Sequence, residues 1–140
     1  MEYSHVKKCV DEAFKGVAED VLALLFRRGQ ELTFKQGDKI YAEGTVSDGT
    51  ISILLAGELS FLKEGAVIGT TSDPVCFGEI VFYGAQKKRT ATVQVSSKGA
   101  TTLRLQIDQK ELTSGVLSEL GKLLATRAWI TLVQDSKRNP

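Results

Sequence analysis

The sequence predicts an α+β domain, a jelly-roll-like antiparallel β-roll with helices at both ends. Three observations predict it. Apolar residues recur at helical spacing up to Phe26. From Gln30 to Ile107 the chain changes to short β-rich runs separated by glycines. After Asp108 the helical period returns.

In the first zone, residues 1–29, the helical residues are Val6, Val10, Ala13, Phe14, Val17, Val21, Leu24 and Leu25. Gly16 divides a short helix from a longer one, and Gly29 reads as the stop just past its C-terminus. Glu19 and Asp20 fall near the start of the second helix, where its dipole favours negative charge.

In the second zone, residues 30–107, strands are expected at Leu32–Phe34, Lys39–Tyr41, Thr50–Ala56, Glu58–Lys63, Ala66–Thr70, Ala91–Ser96 and Thr101–Ile107. Many short strands at near-even spacing fit a closed or double-layered β architecture. The expected core is Leu32, Ile40, Ile53, Leu55, Leu59, Val93, Leu103 and Leu105, with Tyr41 and Phe61 alternating inward. Asp38, Glu43 and Asp48 read as turn carboxylates.

In the third zone, residues 108–140, Asp108 and Glu111 form a capping box. An apolar stripe follows from Leu112 to Val133. Ser114-Gly115 and Gly121 are candidate breaks and hinges, and the polar tail after Asp135 is expected to fray.

Composition narrows the function. A chain of 140 residues with 42% hydrophobic content is expected to form a single domain with one real core. Eighteen basic residues against 17 acidic ones leave a net charge of +1, so no global field recruits nucleic acid or an anionic membrane. Cys9 and Cys76 read as reduced thiols in a cytoplasmic setting. With the single histidine, His5, read as a surface residue and no Cys-x-x-Cys pair, neither a metal nor a cofactor is expected. No signal peptide or bilayer-length apolar run is visible. Ser96 and Ser97 have no histidine partner near in sequence, and no nucleophile elbow, P-loop or dinucleotide fingerprint is present. No catalytic residues are expected, and the enzyme class is set aside.

The informative stretch is residues 77–92, Phe-Gly-Glu-Ile-Val-Phe-Tyr-Gly-Ala-Gln-Lys-Lys-Arg-Thr-Ala-Thr. A strand ends near Cys76, Phe77-Gly78-Glu79 turns the chain, and Ile80 to Tyr83 forms a short apolar segment closed by Gly84. A basic run follows, and a new strand begins at Ala91. A short helix N-terminus offers unpaired N–H groups to an anion, and the Arg89 fork matches two phosphate oxygens. A carboxylate at the same place, Glu79, can accept from a sugar hydroxyl. Phosphate plus ribose hydroxyl is the pattern of a nucleotide. The competing reading is an ordinary surface ion pair between Arg89 and Glu79.

The wider sequence bears on that choice. Gly37-Asp38-Lys39-Ile40-Tyr41-Ala42-Glu43-Gly44 resembles the Gly-Asp-x-Ile-x-x-x-Gly turn of the cyclic-nucleotide-binding domain family. Ile53 to Leu59 resembles its next strand–glycine–strand element. Phe77-Gly78-Glu79 with Arg89-Thr90-Ala91-Thr92 resembles its phosphate-binding cassette. The resemblance covers about Ala18 to Trp129 and implies a sensor of cAMP or cGMP. It implies that Arg89 holds the cyclic phosphate and that Glu79 meets the ribose 2′-hydroxyl. Backbone N–H groups of Gly78, Thr90 and Ala91 join them, and Ile80 and Val81 line the pocket or pack the cassette helix. It also implies hinge and lid helices after Asp108 that close over the base and relay binding to an effector outside this chain.

Arg89 follows Glu79 by ten residues, a spacing similar to the bacterial catabolite activator branch. Lys88 stands where many members have proline, and the Lys87-Lys88 pair reads as a solvated loop. Trp129 reads either as the base lid or as a packing residue of the last helix. Thr90 leaves cAMP and cGMP both open, with a lean to cAMP from the spacing. DNA binding would need a further helix-turn-helix, for which the residues after Asp108 leave no room. The rival class is a nucleotide-free member of the fold that serves as a protein-interaction module.

Overall fold

The computed structural model describes residues 1–78, 88–115 and 117–127. Helix α1 (Tyr3–Ala13) buries Val6, Cys9, Val10 and Ala13, one stripe at spacings of three and four. Helix α2 (Glu19–Arg28) buries Val21, Leu22 and Leu25, with Glu19 and Asp20 in its first turn and Arg27 and Arg28 in its last. Gly16, at φ 92°, makes the turn between them.

Gly29 ends α2, but not as the left-handed cap that the sequence suggests. Its backbone is extended, at φ −69° and ψ 139°. Glycine is needed there because an added Cβ would lie 2.5 Å from the Leu103 side chain.

Among the described residues eight strands follow: β1 (Gln30–Lys35), β2 (Lys39–Tyr41), β3 (Thr50–Ala56), β4 (Leu59–Lys63), β5 (Ala66–Thr71), β6 (Cys76–Phe77), β7 (Thr92–Val95) and β8 (Gly99–Gln106). They form two four-stranded antiparallel sheets, in the orders β1-β8-β3-β6 and β2-β7-β4-β5. The antiparallel β-roll with flanking helices is therefore as expected.

The first sheet lies between the helices and the second sheet. Ile51, Ile53 and Leu55 of β3 face the helices with Leu103 and Leu105 of β8, in a cluster with Phe14, Leu25, Leu117, Leu120 and Leu124. Leu54 faces the other way, into a second cluster with Tyr41, Leu59, Phe77, Val93, Val95 and Ala100. Burial on both faces explains why β3 reads as a continuous run rather than an alternating one. Six of the expected core residues are buried. Leu32 and Ile40 are only half-buried; Leu32 lies on β1, an edge strand, and Ile40 packs against the second cluster.

The capping box forms as expected at α3 (Gln109–Ser114): the Asp108 carboxylate accepts from the Lys110 N–H at 3.0 Å, and the Glu111 side chain reaches back to the Asp108 N–H at 3.3 Å. Glu111 also receives both arms of Arg28, at 2.9 and 2.7 Å, tying α2 to α3. Residues 118–127 form a further helix, α4. Gly121 is not a hinge. It is buried inside α4, where an added Cβ would collide with the Leu112 carbonyl of α3, so it is a point of close helix approach. The break lies at Gly115, which is extended.

Among the described residues, no helix is long and apolar enough to cross a membrane. Cys9 and Cys76 are buried and share no disulfide; burial pushes the Cys9 thiol up. His5 is exposed, as expected, but its ring is not idle: Nε2 lies 2.7 Å from the Leu55 carbonyl oxygen and pins α1 to β3.

Candidate functional site

Arg89 lies just before β7, and its backbone is held by the chain around Gly44. Its N–H donates to Thr45 O and its own carbonyl accepts from the Gly44 N–H, both at 2.8 Å. A β-bridge between Val46 and Lys88 extends that pairing. The side chain turns inward and is 5% exposed.

A buried guanidinium needs partners for its charge and its N–H groups. Nη2 donates to the Asp48 carboxylate at 3.0 Å, to Thr50 O at 2.9 Å and toward the Thr50 hydroxyl at 3.3 Å. Nη1 donates to Gly78 O at 3.1 Å. The plane of the group lies over the Tyr41 ring, 3.7 Å from its centroid, a cation–π contact. Tyr41 is itself fixed by Ser52 and Thr50, at 2.8 and 3.2 Å from its hydroxyl. Burial raises the Tyr41 hydroxyl's pKa against the opposing pull of these bonds and of Arg89.

Gly78 must be glycine for two reasons. Its φ is +93°, and an added Cβ would meet both Arg89 Nη1 and the Tyr41 ring at 2.8 Å. Phe77, buried on β6, packs edge-on against Tyr41 at 5.8 Å and Phe61 at 6.3 Å between centroids. Thr90 and Ala91 are half-buried, and no hydrogen bond among the described residues engages their backbone N–H groups. The structure therefore brings together Phe77, Gly78, Arg89, Thr90 and Ala91. Glu79, Ile80, Val81 and Trp129 lie outside the described residues.

The sequence reading misses Asp48 and Tyr41 as parts of this site. Asp48 does serve its turn, accepting from the Thr50 N–H at 3.1 Å and the Thr50 hydroxyl at 2.6 Å. It also carries the countercharge of Arg89. Burial works to raise its pKa, but the Thr50 hydrogen bonds and the Arg89 charge outweigh it and hold the carboxyl below its ordinary value. Nothing in the spacing of Asp48 and Arg89 signals that they meet, because β-roll closure brings them together.

Chemically, the site is one buried, multiply hydrogen-bonded cation beside backbone donors that have no partner among the described residues. That arrangement suits an anion. Among the described residues, no group of three or more His, Cys, Asp or Glu side chains could hold a metal ion.

No protein-family model matches the chain, and no curated protein matches it either. Solved structures do. A domain of PKAR bound to Sp-2Cl-cAMPS is 20% identical, with a TM-score of 0.73 over 96% of this chain and 86% of that one. A protein described as cyclic nucleotide-binding from Geobacter metallireducens GS-15 is 16% identical, with a TM-score of 0.71 over 95% and 98%. The regulatory subunit of a cAMP-independent protein kinase A from Trypanosoma cruzi, bound to guanosine, is 20% identical, with a TM-score of 0.69 over 81% and 40%. The chain spans less than half the length of that and three similar kinase regulatory chains. By its helix, sheet and turn arrangement, the chain has the fold of the cyclic-nucleotide-binding domain family.

Proposed function

We propose that this chain binds a 3′,5′-cyclic purine nucleotide, cAMP or cGMP, and does no chemistry on it. The observation that carries the reading is Arg89: a buried guanidinium held by Asp48, Thr50, Gly78 and Tyr41, next to two backbone N–H groups with no partner among the described residues. In this reading Arg89 holds the cyclic phosphate, Thr90, Ala91 and Gly78 donate from the backbone, and Glu79 accepts from the ribose. Ile80 and Val81 complete the cassette. A similar structure holds a cAMP analogue, which supports a cyclic nucleotide, while another holds guanosine, which supports a purine but not the phosphate.

The chain acts as one sensor unit, with cassette 77–92 in roll 30–107. The helices of residues 108–140 relay binding to an effector outside this chain, in a cytoplasmic setting. A ligand shifts a conformational equilibrium only by its differential affinity for the two states. Trp129 closes over the base. It is the sole tryptophan, so its emission reports on that step.

One observation favours a second reading, a nucleotide-free interaction module. Arg89 already has an anionic partner in Asp48. Calorimetric titration with cAMP, cGMP and guanosine separates the two. The first reading expects saturable binding of a cyclic nucleotide, with guanosine weaker because it has no phosphate for Arg89. Absence of binding by all three leaves the second.

A further inference from the structure

Helix α2 is acidic at its start and basic at its end. Glu19 and Asp20 stand in its first turn, Arg27 and Arg28 in its last. Two of these charges are engaged: Glu19 lies 3.8 Å from Lys7, and Arg28 is taken by Glu111. Asp20 and Arg27 are left, both exposed. Among the described residues Asp20 accepts only from the adjacent Val21 N–H, and Arg27 makes no hydrogen bond or ion pair. The two stand about 10.5 Å apart along the helix, two turns, with the exposed Ala23 between them. Spacings of three and four put all three on one stripe.

The helix dipole accounts for the order of these charges. It does not account for the apolar surface beside them. The Tyr3 ring of α1 is 65% exposed and packs edge-on against the half-buried Phe26 of α2, 4.7 Å between centroids. A cavity of about 400 Å³ lies there between the two helices, and its lining includes Tyr3, Ala23 and Phe26 together with Asp20 and Arg27. Aromatic surface left open and rimmed by charge marks a protein–protein contact.

We propose that this face receives a second copy of the chain, α2 against α2, antiparallel about a two-fold axis beside Ala23. The charge order selects that occupant. Reversed on itself, the stripe sets Asp20 against Arg27 of the partner subunit and Arg27 against the partner's Asp20, so one patch serves both sides of a symmetric contact. A parallel arrangement would set like charges together. Ala23, with a single methyl group, lets the helices approach at the interaxial distance of about 8–10 Å that packed helices adopt. The Tyr3 and Phe26 rings flank the crossing and lose their exposure to water. The contact is small and its ion pairs are solvated, so it is a weak, salt-sensitive dimer. It lies on the helices, apart from the Arg89 site, and does not depend on the nucleotide reading.

The test is sedimentation equilibrium of the full chain from micromolar to near-millimolar concentration, with each variant's fold checked by its melting transition. Wild type should dimerise toward the upper end. Asp20→Arg and Arg27→Asp each turn both cross-pairs into like-charge pairs, and each should weaken the dimer by about tenfold or more. Mixed in equal amounts, the two variants should dimerise with each other, because each then supplies the charges that the other lacks. Wild type that stays monomeric overturns the proposal, and leaves the face to another partner or to none. Reversals that leave the dimer intact overturn it too, since the contact then lies elsewhere, and so does a mixture that stays monomeric. If a reversal does not fold, Ala23→Glu decides: a charged side chain at the crossing should abolish the dimer, and a dimer that survives it overturns the proposal.

Discussion

Arg89 and Asp48, 41 residues apart in sequence, meet at 3.0 Å as a cation buried to 5% exposure and a carboxylate that is largely solvent-exposed. The asymmetry defines what the pair can do. The guanidinium cannot leave its pocket without losing Thr50, Gly78 and Tyr41 as well, whereas the carboxylate can exchange its half of the contact for water. Under the proposed function, an arriving phosphate would therefore meet a cation already in place, not one that has to be ordered.

Removing Asp48 tests this arrangement. Asp48→Ala leaves the buried charge with neutral acceptors only, and stability should fall by about 1–2 kcal/mol, toward the low end for charged hydrogen bonds because the carboxylate is exposed. Urea denaturation measures it. The folded-state pKa of Asp48 is depressed from the ordinary value of 3.8, so its contribution is present above that value and is lost as pH falls through the lower folded-state value. The stability gap between wild type and Asp48→Ala should therefore close in acid. A gap that persists unchanged well below pH 3.8 contradicts the assignment.

Gly78 is the most constrained glycine of the site. Gly78→Ala adds left-handed strain and two contacts at 2.8 Å, against the Arg89 fork and the Tyr41 ring. The cost should be about 1–3 kcal/mol, read as a lower melting temperature. Nucleotide affinity should fall with it, because the Cβ displaces the guanidinium. A variant with wild-type melting and wild-type affinity would show that the Gly78 turn is looser than described.

The C-terminal helices give a third expectation. Gly121 permits the backbone of α4 to touch the Leu112 carbonyl of α3. Gly121→Ala should separate the two helices and speed amide exchange over residues 118–127, leaving exchange in β3 and β8 unchanged. If Gly121 were a hinge, alanine would instead stiffen α4 and slow its exchange.

Legibility in the sequence followed how local each cause is. The α1 stripe, the capping box and the glycine-punctuated strands depend on neighbours within four residues, and all are readable. The dual burial of β3 shows as an unbroken apolar run. The edge position of β1, which leaves Leu32 half-buried, depends on strand order and leaves no local mark. The roles of Gly29 and Gly121 as close-approach points, rather than cap and hinge, depend on Leu103 and Leu112, 74 and 9 residues away. At the site, Phe77, Gly78 and Arg89 were legible as a pattern. Asp48 was legible only as a turn residue, because its partner arrives from the other side of the roll.

The central claim is that Arg89 is the anchor of a cyclic phosphate, and the most direct measurement is calorimetry with cAMP and cGMP on wild type, Arg89→Lys and Arg89→Ala, each with its melting transition recorded. Loss of a charge-assisted partner to a desolvated charge costs about 2–5 kcal/mol, so Arg89→Ala should weaken the preferred nucleotide by roughly one and a half to three and a half decades. Arg89→Lys keeps the charge but loses the two-pronged geometry and should fall between alanine and wild type. Because Arg89 also braces the roll, the lysine variant stands in if alanine does not fold. A folded variant that binds with unchanged affinity, or a wild type that binds neither nucleotide, would contradict the account.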